Sequence, residues 1–116
     1  MKIKGDFIMT VSELAGKLSL NVITMPDPDR TVSGGYVGDL LSWVMGSAQA
    51  DEAWITIMSN QNVAAVAALS DVACVIFAEG VKPDPDLLKK AELQKINLLG
   101  SDESSFRVAV KLGGAL

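Results

Sequence analysis

Residues 72 to 78, Val-Ala-Cys-Val-Ile-Phe-Ala, form an unbroken apolar run of strand length, with helical patterns on either side of it. A strand that is apolar at every position has both faces covered, which is the situation of a central parallel strand flanked by helices. Parallel neighbours require crossover connections, so the chain is expected to be an α/β domain with right-handed crossovers. Its 116 residues fit one such domain. Because 49% of the residues are hydrophobic and only 5% aromatic, the core must be built mainly from Ala, Val, Leu and Ile.

The rest of the pattern alternates in the same way. A helix is expected over Ser12 to Leu18, capped by Thr10 or Ser12, and a strand over Leu20 to Met25 that Pro26-Asp27-Pro28-Asp29 stops. Tyr36, Leu40, Leu41, Val44, Met45 and Ala48 recur at helical spacing and predict a helix directly after Gly34-Gly35. Trp54 to Ser59 reads as a strand, Asn62 to Leu69 as a helix capped by Asn60, and Asp84-Pro85 as the cap and first turn of a helix reaching about Lys95. A short strand over Ile96 to Leu99 and a last helix carrying Phe106, Ala109, Val110 and Leu112 complete the chain, with Gly113-Gly114 as its stop. The expected fold is a single layered domain whose mostly parallel sheet has about four strands flanked by helices. Strand order is not readable, and a flavodoxin-like arrangement satisfies the same pattern. The domain is expected over residues 10–116, with residues 1–9 an N-terminal extension.

Composition excludes several function classes. Ten basic residues are scattered among fourteen acidic ones, for a net charge of −4, so a nucleic acid polymer is not an expected partner. There is no histidine, and Cys74 is the only cysteine, which removes the usual base near neutral pH, disulfides and cysteine-rich zinc sites. Cys74 lies within the apolar run and reads as a buried strand thiol. No SxxK or GxSxG pattern offers a serine nucleophile. No apolar run approaches the ~20 residues of a membrane helix and the first residues do not form a signal peptide, so a cytoplasmic protein without a membrane partner is expected.

In an open parallel sheet, ligands bind beyond the carboxyl ends of the strands. Gly34 and Gly35, read as preceding a helix, would offer free amides to an anion, with Arg30 as a bidentate partner. The opposing reading makes the glycines a positive-φ turn and pairs Arg30 with Asp27, Asp29 or Asp39. Asn60 and Asn62 are candidates for reading a base or sugar, or for capping a helix. Trp43 falls off the inward face of its helix and, with Met45, is the expected dimer or partner contact. Carboxylates at 27, 29 and 39 read as a solvated acidic loop, so neither a metal nor a cofactor is expected.

Residues 29 to 45, Asp-Arg-Thr-Val-Ser-Gly-Gly-Tyr-Val-Gly-Asp-Leu-Leu-Ser-Trp-Val-Met, carry a family resemblance together with Trp54-Ile55-Thr56-Ile57, Asn62-Val63-Ala64-Ala65-Val66-Ala67 and Lys82-Pro83-Asp84-Pro85-Asp86. Over residues 12 to 110 the chain resembles a DRTGG domain and is similar to the N-terminal domain of HPr kinase/phosphorylase. Asp29, Arg30, Thr31, Gly34 and Gly35 match the family's named elements, with Val32 and Ser33 between them. The resemblance implies a small regulatory module, found alone or beside CBS domains, with no general enzymatic activity.

The function expected from the sequence is therefore a non-catalytic, homodimeric regulatory domain. It would sense a small anionic metabolite or nucleotide through Asp29, Arg30, Thr31, Gly34, Gly35, Asn60 and Asn62. The alternatives are a ligand-free interaction or dimerisation module, and a small transferase or phosphatase using the carboxylates at 27, 29 and 39.

Overall fold

The computed structural model describes residues 8–116; residues 1–7, most of the expected extension, lie outside the described residues. In chain order the elements are β1 (Met9–Thr10), α1 (Val11–Lys17), β2 (Asn21–Thr24), β3 (Thr31–Val32), β4 (Gly34–Val37), α2 (Leu41–Ser47), β5 (Glu52–Thr56), α3 (Asn62–Ser70), β6 (Cys74–Phe77), α4 (Pro85–Gln94), β7 (Leu98–Gly100) and α5 (Ser105–Ala115).

The main sheet has the order β2-β7-β6-β5-β4. β4, β5, β6 and β7 run parallel, and β2 closes the sheet antiparallel to β7. β6 is the middle strand and every residue of it is buried, as its apolar run requires. Alternate side chains serve two cores. Cys74, Ile76, Ala53 and Ile55 face α1 and α5 with Leu14 and Leu112, whereas Val75, Phe77 and Trp54 face α2, α3 and α4 with Val44, Val63 and Leu87.

Local sequence explains most helix starts. Thr10 caps α1 in a reciprocal box: its Oγ1 accepts from Glu13 N at 3.2 Å, and Glu13 Oε1 accepts from Thr10 N at 3.0 Å. Asp84 precedes Pro85 at the start of α4, and Ser104 Oγ accepts from Arg107 N at the start of α5.

The helix ends follow a shared device. Ser19, Asp51, Asp71 and Lys95 lie in the connections from α1, α2, α3 and α4 to the next main-sheet strand, and all four hold positive φ between 54° and 67°. After α1, α3 and α4 the following amide bonds back into the helix, Leu20 N to Ala15 O, Val72 N to Ala67 O and Ile96 N to Ala91 O, each within 3.2 Å. This is the left-handed C-terminal cap that usually takes glycine.

The mostly parallel sheet has five strands where about four were expected, because β4 joins it, and β1 and β3 form a separate two-stranded ribbon. Two expectations are corrected. Gly34-Gly35-Tyr36 is not a turn running into a helix but the body of β4, and α2 starts only at Leu41. The apolar spacing from Tyr36 onward conceals a strand followed by a helix, since Tyr36 reaches the second core from a strand. Gly113-Gly114 also does not end the last helix, which continues to Ala115.

Candidate functional site

Arg30 lies in the loop before β3, at the end of the sheet where the parallel strands begin. Its Nε donates to Asp51 Oδ1 at 2.9 Å, and its Nη2 donates to Asp71 O at 2.7 Å and to Asp71 Oδ1 at 2.9 Å. Neither aspartate is one of those expected. Both occupy left-handed connections, and it is the tight helix-to-strand turn that carries each carboxylate beneath Arg30. The guanidinium thus joins the entries to β5 and β6 to the loop before β3. Burial alone would lower the Arg30 pKa, but the hydrogen bonds and charges of Asp51 and Asp71 outweigh it and raise the value.

Asn97 strengthens the same end. It is 2% exposed, its Oδ1 accepts from Asp27 N at 2.9 Å, and its Nδ2 donates to Asp27 O at 2.8 Å and Ala73 O at 3.0 Å. The side-chain amide therefore pairs with a backbone residue as a neighbouring strand would, satisfying groups that burial would otherwise penalise. A cavity of about 170 Å³ opens here, with Arg30, Asp71, Lys95, Asn97, Asp27 and Gln94 as its polar lining. Lys95 is exposed and forms no ion pair with any described residue.

The carboxyl ends of the parallel strands are organised differently. Asp39 Oδ1 accepts from Thr56 Oγ1 at 2.8 Å and from Ile57 N at 2.9 Å, and Trp54 Nε1 donates to Gly38 O at 2.8 Å. Asn60 Oδ1 accepts from Asn62 N at 2.9 Å, a local turn that leads into α3.

The expected site residues therefore fall into two groups. Asp29, Arg30, Thr31, Gly34 and Gly35 lie around the starts of the parallel strands, whereas Asn60 and Asn62 follow the end of β5. β4 and β5 are in parallel register, Gly34 opposite Glu52, so β5 alone separates the groups by its length of roughly 15 Å. Gly35 has a packing role: a Cβ there would stand 2.4 Å from Leu112 Cδ2, so its absence lets α5 settle on β4. Trp43 is 67% exposed and Met45 half exposed, both on α2.

Cys74 is fully buried, and burial pushes its thiol up to about 12, which leaves it neutral and unreactive near neutral pH. Among the described residues no group of three or more Cys, Asp or Glu side chains is placed to hold a metal ion, and no helix is long and apolar enough to cross a membrane. Sequence reasoning missed Asp51, Asp71, Lys95 and Asn97. Only Asn97 carried a signal, as a lone amide interrupting the apolar Ile96-Asn97-Leu98-Leu99 segment.

No protein-family model and no curated protein sequence matches the chain. The fold is similar to that of the CBS and DRTGG domains of the regulatory region of Clostridium perfringens pyrophosphatase, a structure complexed with its activator, diadenosine tetraphosphate. The TM-score is 0.73 at 14% sequence identity, over 89% of this chain and 45% of that one. The chain thus spans under half the length of the chain it resembles, and the likeness is one of fold: an α/β unit with a mixed, mostly parallel sheet flanked by helices.

Proposed function

We propose that this chain is a non-catalytic regulatory domain of the DRTGG type that senses a small anionic metabolite or nucleotide and passes its state on through a dimer or a partner protein. The likeness to a regulatory region over 89% of the chain carries this reading. The absence of histidine from the sequence and the burial of Cys74 agree with a role outside catalysis.

The ligand seat we favour is the cavity beside Arg30. Its lining is held by long-range hydrogen bonds, so little ordering is needed on binding. With both aspartates on Arg30, Lys95 is the cation left to meet an anion. At about 170 Å³ the cavity is below the ~300–1,000 Å³ of drug-sized pockets, so it would take a phosphate or carboxylate group rather than a whole nucleotide.

A thermal-shift panel of nucleotides, sugar phosphates and carboxylates tests this. A ligand at 100 times its dissociation constant adds ~2.7 kcal/mol, and for a domain of this size that raises the Tm by roughly 10 °C. Lys95→Gly should abolish the shift without disturbing the fold. A shift that survives Lys95→Gly but is lost in Asn60→Ala or Asn62→Ala would move the ligand to the other end of the strands. A flat panel would reject the sensor and favour the second reading, an interaction module, for which exposed Trp43, Met45 and Leu40 on and beside α2 supply the partner surface.

A further inference from the structure

β1 and β3 pair antiparallel with Met9 opposite Val32, and β3 passes into β4 through the single residue Ser33. The chain before Met9 is therefore aimed along β4, on the side away from β5, the one sheet neighbour β4 has among the described residues. Met9 packs against the core under α1 and α5. Side chains alternate along a strand, so an extension of β1 toward the amino terminus carries Phe7, Gly5 and Ile3 on the face of Met9, and Asp6, Lys4 and Lys2 on the other. The first of those faces meets apolar surface. Between β4 and α5 lies a cavity of about 170 Å³ lined by Gly35, Val37, Ile55, Ala109, Leu112 and Gly113. Val37 is half exposed, and Phe106 and Val110, 76% and 58% exposed, each stand three residues before a lining residue of α5.

We propose that residues 3–7 of this chain dock on the β4–α5 face as a strand antiparallel to β4, with the Phe7 ring in the cavity beside Gly35 and Ile3 against Phe106. The length fits: β4 has 4 residues, and at ~3.4 Å per residue five residues cover it. The shape fits as well. Gly35 and Gly113 leave the cavity without side chains on two sides, and a Cβ at Gly113 would meet nothing within 4 Å. An aromatic ring set across an edge glycine supplies the packing that glycine lacks. Gly5 falls between Phe7 and Ile3, where Val37 projects and a larger residue would crowd it. The pairing satisfies the β4 backbone groups that point away from β5, and Lys2, Lys4 and Asp6 then place charge on the new edge, which discourages further strands. Attachment selects this occupant over a second copy. Met9 is already paired with Val32, so the segment is held beside β4 at an effective concentration on the order of millimolar.

Amide exchange followed by NMR on the full chain, at two protein concentrations, tests this. The β4 amides that point away from β5 should be protected to the same extent at both. Phe7→Asp and Ile3→Asp should speed their exchange by about tenfold or more, as the loss of a buried apolar side chain implies. The β5 and β6 amides should keep their rates in these variants, which shows that the fold is intact. Asp6→Asn and Lys4→Gln, on the opposite face, should change nothing. The docking would be overturned by outward β4 amides that exchange freely in the wild type, that stay protected in Phe7→Asp, or that are released as strongly by Asp6→Asn and Lys4→Gln. Protection that rises with protein concentration would give the edge to a second copy and overturn it too. No ligand enters the measurement, so its failure is distinguishable from failure of the sensor reading.

Discussion

Where the parallel strands begin, side chains reach far along the sequence: Arg30 to Asp51 and Asp71, and Asn97 to Asp27 and Ala73, over separations of 21 to 70 residues. Where those strands end, the side-chain ties are shorter, from 2 residues for Asn60 with Asn62 to 26 for Glu79 with Ser105. The first end is a brace that exists only once the whole sheet is assembled. The second combines turns of 2 residues at Asn60 and Ser101 with ties of 16 to 26 residues from Asp39, Trp54 and Glu79. A braced end offers a preformed cavity, whereas locally turned loops open at lower cost and can adjust to what they meet.

The largest test of that contrast is Asn97→Ala. It would leave Asp27 N and Asp27 O, part-buried, and Ala73 O, buried, without their partner, and we expect a loss of about 2–3 kcal/mol in chemical denaturation. A loss under ~1 kcal/mol would mean that water replaces the amide and that the brace is dispensable. At the other end, Thr56→Val removes the donor to Asp39 and the acceptor of Met58 N from a 1% exposed site, with an expected cost of ~1–2 kcal/mol. If Thr56→Val cost more than Asn97→Ala, the carboxyl ends of the strands would be the more strongly held.

Arg30→Ala should cost only about 1 kcal/mol, because Asp51 and Asp71 are themselves 46% and 65% exposed and water screens the pairs. The difference from wild type should shrink in high salt; a loss insensitive to salt would assign the role of Arg30 to packing of its stem. The smallest effect has the opposite sign. Lys95→Gly relieves a left-handed residue at φ 58° and should stabilise by ~0.5 kcal/mol. Asp71→Gly, at φ 56°, should show no such gain, because it also takes a carboxylate from Arg30. Equal gains in the two variants would show that the Arg30 bridge adds nothing.

Much of the fold was legible in local pattern. The run from Val72 to Ala78, the Thr10 cap and the Asp84-Pro85 start each carry their own short-range signal, and β6, α1 and α4 lie where those signals placed them. β4 was not legible, because Gly34-Gly35-Tyr36-Val37 lacks β-branched residues until its last position and lies upstream of a helical spacing that swallows Tyr36. The helix ends were equally hidden, since Ser, Asp, Asp and Lys take the left-handed positions that a reader assigns to glycine.

The candidate site shows where local information ends. Arg30 stood out in the sequence as a charged residue near paired glycines, but its partners could not be read there, because both aspartates reach it through turns whose geometry the tertiary fold imposes. The sequence by itself determined the layered α/β class, the depth of β6 and the absence of histidine, all of which follow from residue type and short-range spacing. Only the tertiary structure decided that Gly35 yields space to Leu112, that the expected site residues fall at opposite ends of the parallel strands, and that β4 joins the main sheet beside β5. Those depend on which strands become neighbours, and neighbours across a parallel sheet are chosen by packing between residues far apart in the chain.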